Sequence, residues 1–222
     1  MNKLIKINIE KNYTKQVSLK NLLKDFLKDL SFEKGLDLEI NIKPNITLDL
    51  LDDHLIKSKI KFVLDKNSKL SYFSKPNESA NKELTFELIG FDANAQIKIL
   101  CNGKKDQAFN FKTIQDHKVS STKSNLIIKG VFDDISKLKS DNLIKVAQNA
   151  QNVVANQINK NILIGEKSGI VTIPKMEIKS DKVNCHHGAA ISKLDENQLF
   201  YLQSRGLDLD EAKKMLITAF LG

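Results

Sequence analysis

Short stretches of alternating apolar and polar residues predict a mainly β protein that closes with a short helical region. Three observations carry this reading. From Leu36 onward, DLEINIK, ITLDLL, KIKFVLD, KLSYF, ELTFELIG, AQIKIL and FNFKT alternate with period two and are separated by Pro, Asn, Asp or Gly. No helical pattern of ten or more residues lies between them, which removes βαβ crossovers and leaves a sandwich, a barrel or a β-solenoid. Finally, an asparagine leads an aliphatic run at Asn125 (NLIIKG), Asn142 (NLIKVA) and Asn161 (NILIGE), at spacings of 17 and 19 residues. A recurrence of about 18 fits a β-helix whose coils each use two strands and two turns, with asparagines stacked in ladders. The competing reading is an antiparallel sandwich with accidental spacing.

Taken in order, residues 1–33 form a mixed N-terminal segment. KLIKINIE alternates like a strand. SLKNLLKDFLKDL places Leu22, Leu23, Phe26, Leu27 and Leu30 on one stripe of an amphipathic helix that Gly35 would end. Residues 34–194 carry the repeated strands, with the short strands MEIKS and KVNCHH after Pro174. Residues 195–222 are helical. Asp195 opens one helix, with Gln198 as a capping partner, apolar Leu199, Phe200 and Leu202, and Gly206 as its stop. Asp208 opens a second, with Glu211 three residues on and a stripe of Leu209, Ala212, Met215, Leu216, Ala219 and Phe220.

Composition narrows the function classes. The 222 residues are 41% hydrophobic, enough for a packed core. No apolar run is long enough for a membrane span, and no secretory leader is read at the N-terminus. Two cysteines cannot build a disulfide framework, so a reduced, cytoplasmic setting is expected. The net charge of +8 is almost entirely lysine, interleaved with acids along the whole chain. The bidentate arginine readout of nucleic-acid sites is missing, Arg205 being the sole arginine. We therefore expect a solvated basic surface and no nucleic-acid or membrane partner. No GxxxxGK phosphate loop occurs.

Chemistry concentrates between Lys182 and Gly206, which holds Cys185, His186, His187 and Arg205. On a strand, Cys185 and His187 share one face and His186 takes the other, with the first two Cβ atoms roughly 6.5–7 Å apart. Both could reach one metal, yet two ligands do not complete a tetrahedral site. His54, His117 and Cys101 are distant in sequence. The pair is thus either half of a site finished by another chain, or a small buried thiol beside surface histidines. A third reading makes Cys185 a nucleophile activated by a nearby histidine and an acid such as Asp195, giving a thiol-dependent hydrolase or transferase. Arg205, just before Gly206, could meet helix-end carbonyls or a carboxylate.

VNCHHGAAISKLDENQLFYLQSRGLDLDEAKKMLITAF resembles the C-terminal signature of the SufB/SufD family of iron–sulfur cluster assembly proteins. TIQDHKVSSTKSNLIIKGVFDD, AQNVVANQINKNILI and PKMEI are similar to upstream family segments, so the likeness covers about residues 109–222. The HGA after Cys185 and the terminal AF resemble SufD, whereas ISK resembles SufB. His186 stands where the family usually has serine and Ala190 where it has threonine. The resemblance implies a right-handed parallel β-helix of SufBD type with a short C-terminal helical region. It further implies a non-enzymatic scaffold paired with a SufB-like subunit through the β-helix, or with a second copy of itself. A SufC-like ABC ATPase would be bound through the C-terminal helices. On that likeness, His187 and Cys185 would contribute to a transient iron–sulfur cluster at the shared interface, none being held stably by the isolated chain. Leu199, Phe200, Tyr201, Arg205, Ala212, Met215, Leu216 and Phe220 would face the ATPase. The chain is also about half the length of many family members, and the expected shortening is N-terminal.

Overall fold

The computed structural model describes residues 4–26, 36–52 and 57–222. It is a parallel β-solenoid of about six turns. The strands are β1 Leu4–Ile9, β2 Tyr13–Ser18, β3 Leu36–Ile42, β4 Thr47–Asp52, β5 Lys57–Leu64, β6 Lys69–Ser74 and β7 Ala80–Leu88. They continue as β8 Asn94–Gly103, β9 Ala108–His117, β10 Lys123–Phe132, β11 Lys137–Val146, β12 Val153–Leu163, β13 Gly169–Ile178 and β14 Val183–Ser192. Three helices complete the chain: α1 Leu19–Phe26, α2 Glu196–Ser204 and α3 Leu209–Leu221. Odd-numbered strands form one seven-stranded sheet and even-numbered strands the other, each in chain order. Consecutive strands therefore alternate between sheets, and inward positions of both sheets meet in a central core.

The coil period differs from the expected one. Leu36 pairs with Ser58, 22 residues on, Ala80 with Phe109, 29 on, and Lys123 with Val154, 31 on. The 17- and 19-residue spacings of Asn125, Asn142 and Asn161 are steps from one sheet to the other, about half a coil. Those three asparagines do not stack. Asn125 lies beside Gln96 and Asn156, Asn142 beside Thr113 and Pro174, and Asn161 beside Gly130 and Ile191. The repeat is carried by the turns. Asn45, Asn67, Asp92, Ser121 and Asn152 recur with φ of 55–61° where the chain passes from the odd to the even sheet. Asn and Asp tolerate this left-handed conformation better than other non-glycine residues. Asn67 Nδ2 donates to Asn45 Oδ1 at 2.9 Å, tying one turn to the next. Pro174 lies inside β13 and does not precede a new strand; β13 is an edge strand, where a missing N–H is tolerated.

The interior changes along the axis. The early coils are apolar: Ile40, Leu48, Leu50, Phe62, Leu64 and Phe86 are fully buried. Phe62 stacks on Phe86 at 5.2 Å, and Tyr72 meets both edge-on. One charged knot lies in this core. Lys82 Nζ donates to Asp52 Oδ2 and Ser74 Oγ, both at 2.9 Å, and Tyr72 OH donates to Asp52 Oδ2 at 2.6 Å. Burial, then Asp52, raise the Tyr72 pKa well above its ordinary value. At the N-terminal end α1 lays Leu19, Leu22 and Leu23 onto the same core against β2 and β4, as the leucine stripe predicted. Leu27, Leu30, Gly35 and His54 lie outside the described residues.

From β9 onward polar side chains join the apolar interior. Thr113, Gln115, His117, Thr122, Ser124, Ser140, Asn142, Gln157, Asn159 and Asn161 are all buried. Many of them pair with one another: Thr113 Oγ1 donates to Asn142 Oδ1 at 2.8 Å, and Asn159 Nδ2 donates to Ser140 Oγ and Thr172 Oγ1 at 2.9 and 2.8 Å. His117 lies between Thr122 Oγ1 and Ser124 Oγ at 2.7 and 2.8 Å, and burial pushes its pKa down to about 4. On the outer face of the odd-numbered sheet, lysines alternate with acids across neighbouring strands, as in Lys175–Asp141 at 2.7 Å and Lys61–Glu87 at 2.5 Å. This agrees with a solvated basic surface.

Candidate functional site at the last coil

The last coil, β13 and β14, is an edge on both sheets: each strand pairs on one side only among the described residues. Among the described residues nothing comparable to α1 covers it. Ile178 and Ile191, which continue inward-facing rows below them, are 38% and 46% exposed. An exposed strand edge with unpaired backbone groups is a template for pairing with another chain.

β14 carries the cysteine and both histidines, and its register assigns their faces. Cys185 pairs with Ala155, His186 with Asn156 and His187 with Gln157. Ala155 and Gln157 are buried inward residues. Cys185 accordingly packs against the small cluster of Ile144, Val146, Ala150, Val153 and Ala155, and His187 follows two positions on along the same face, exposed at the open end. His186 belongs instead to an outer polar row that runs Asp49, Ser71, Gln96, Asn125, Asn156, His186 from strand to strand. The two histidines lie within a ten-residue strand, as the alternation expected. Gly188 is next in line with open space where a Cβ would be.

Two observations leave the thiol-nucleophile reading without support. Burial raises the Cys185 pKa, partly offset by a backbone hydrogen bond from Ala155, whereas a nucleophile needs the thiolate. The Asp195 carboxylate caps α2, accepting from Asn197 N and Gln198 N at 2.8 and 3.3 Å. Among the described residues no three His, Cys, Asp or Glu side chains are placed to hold a metal ion. Cys185 and His187 remain an incomplete donor pair at the rim of an open coil.

The helical region turns back along the outer face of the even-numbered sheet. Gly206, at φ 94°, ends α2, and the predicted Asp208–Glu211 box caps α3. α3 packs on β10, where Lys129 Nζ donates to the Phe220 carbonyl at 2.8 Å and lies 5.3 Å from the Phe220 ring. Ala212 is fully buried and Phe220 partly so; both hold the helices in place. Phe200, Tyr201 and Met215 are 73%, 57% and 48% exposed. Tyr201, Leu202, Met215, Leu216 and Ala219 line an apolar cleft of about 400 Å³ between the helices. Leu199 is half-buried. The Arg205 guanidinium stacks over Tyr201 at 5.4 Å, and no carboxylate contact accompanies it among the described residues. Lys129, the anchor of α3, and Gln157, beside His187, lie in the family-like segments TIQDHKVSSTKSNLIIKGVFDD and AQNVVANQINKNILI, but sequence assigns neither a role. Only strand register shows where they lie.

A parallel solenoid ends in an open coil that carries Cys185 and His187, with an apolar cleft between its C-terminal helices. The chain belongs to the SufBD family: the family model "SUF system FeS cluster assembly, SufBD core domain" matches residues 50–220. It is 32% identical over 134 residues to the iron–sulfur cluster assembly protein SufD of Escherichia coli, covering 60% of this chain and 32% of that protein. An iron–sulfur cluster assembly SufBD family protein of Synechocystis sp. is 38% identical over 99 residues, 45% of this chain and 22% of its own. A chloroplastic SufBD family protein of Arabidopsis thaliana is 34% identical over 104 residues, 47% of this chain and 19% of its own. The matched stretch thus spans a third or less of each of these relatives. No helix among the described residues is long and apolar enough to cross a membrane.

Proposed function

We propose that this chain is a SufD-like, non-catalytic scaffold subunit for iron–sulfur cluster assembly in the cytoplasm. Its open coil docks a SufB-like subunit, or a second copy of this chain, by edge-strand pairing. A SufC-like ABC ATPase binds the α2–α3 cleft. The observation that carries this is the position of Cys185 and His187 on the inner face of an edge strand. There a second chain would bring further ligands to the two already present. The cluster is cargo, formed transiently at the joint. His187 supplies an imidazole nitrogen and Cys185 a thiolate once a metal displaces its proton. His186, on the outer row, points away from the joint and has no ligand role.

The test is co-purification of the full chain with an ABC-type ATPase subunit and a SufB-like subunit. Phe200→Asp with Met215→Asp should abolish ATPase recovery and leave SufB-like recovery intact, because the two surfaces are separate. Equal ATPase recovery with and without the substitutions would remove the cleft assignment.

A further inference from the structure

Gln157 is fully buried, yet its Oε1 accepts no hydrogen bond. An unpaired buried acceptor costs about 1–3 kcal/mol. Its surroundings narrow the donors that could satisfy it. In its inward row the neighbour on one side is Leu126, which has no donor, and on the other His187. Other amide donors in the polar interior are committed. Gln115 Nε2 donates to Ser124 Oγ and Asn156 O, Asn159 Nδ2 to Ser140 and Thr172, and Asn161 Nδ2 to Asn159 Oδ1. His187, by contrast, is exposed and free to rotate about its side-chain bonds, on an in-register strand about 4.8 Å away.

We propose that Gln157 is the positioning residue for His187. Gln157 Oε1 accepts a hydrogen bond from one ring N–H of His187. This fixes the imidazole in a single tautomer and turns its other nitrogen, with its lone pair, out of the open coil. A ligating histidine commonly donates its second nitrogen to such a partner, and losing that partner typically weakens metal affinity about 10–100-fold. The inference rests on the ligand role given to His187, but its test does not need a cluster. His186 shares the chain and the strand while facing the outer row, so it serves as an internal reference.

The test is ¹⁵N-histidine NMR of the full chain at pH 8, where an ordinary histidine is neutral. His187 should show one tautomer and a ring N–H exchanging more slowly than that of His186. Gln157→Met, which keeps the length and removes the acceptor, should erase that difference. Gln157→Glu, which keeps an oxygen acceptor, should retain it. The wild-type spectrum alone overturns the proposal if His187 exchanges and mixes tautomers as His186 does, and so does a His187 signal unchanged in Gln157→Met. Either failure removes Gln157 and leaves the cluster role standing. Conversely, a cluster yield unaffected by His187→Ala would remove the ligand role and leave the hydrogen bond intact.

Discussion

The early and late coils share one backbone plan and differ in what fills them. Between β3 and β8 the interior is leucine, isoleucine and stacked aromatics around a single buried ion pair, with α1 laid over its end. From β9 onward amides, hydroxyls and a histidine join buried phenylalanines and aliphatics such as Phe109, Leu126 and Phe132, and the last coil is uncovered. The early coils gain stability from apolar burial, whereas the late coils satisfy polar groups with one another and gain less per residue. Hydrogen-bonded networks fix geometry, and geometry is what the ligand pair proposed for the open edge would require. The molecule separates the part that holds the fold from the part that presents chemistry.

Substitutions should expose this asymmetry. Phe62→Ala removes a fully buried ring that stacks on Phe86 and should cost about 3–5 kcal/mol in urea unfolding. A cost under 1 kcal/mol would mean that the early coils are not the stable half. A pH effect comes next. His117 is neutral in the folded chain down to about pH 4, while the unfolded chain binds a proton below about pH 6.5. The unfolded state binds more protons in that window, so the stability present above pH 6.5 is lost as pH falls. The loss should reach about 3 kcal/mol by pH 4. His117→Gln should flatten that slope; an unchanged slope would mean that the buried imidazole is not its source. Asn159→Ala breaks the links to Ser140 and Thr172 and should cost about 1–3 kcal/mol. Smallest in the isolated chain is Ile191→Ser on the open coil, within about 0.5 kcal/mol. The same substitution should measurably weaken association with the partner subunit, and unaltered association would point the joint elsewhere.

Sequence patterning made the strands legible because alternation survives whatever the core contains. KIKFVL, AQIKIL and FNFKT fall within β5, β8 and β9. The coil period was hidden for a physical reason. Inward residues pack differently in each coil, so strand sequences do not repeat, and the conformation that does repeat is a single turn residue with positive φ. Asn45 and Asn67 announce it, but Ser121 in the same role does not. The site was half legible. Alternation placed Cys185 and His187 together, and only register against Ala155 and Gln157 shows that theirs is the inner face. Ala212 and Phe220 read as part of an exposed stripe, because sequence does not reveal that Lys129 draws the end of α3 onto β10.

The central claim is that the open coil lends His187 to a cluster completed by another chain. The direct measurement is iron–sulfur cluster assembly on the reconstituted complex carrying His187→Ala, read by cluster absorbance with complex formation checked by size exclusion. The account predicts an intact complex with cluster yield reduced at least ~10-fold, and His186→Ala indistinguishable from wild type. An intact complex that builds clusters at the wild-type yield without His187 would contradict it.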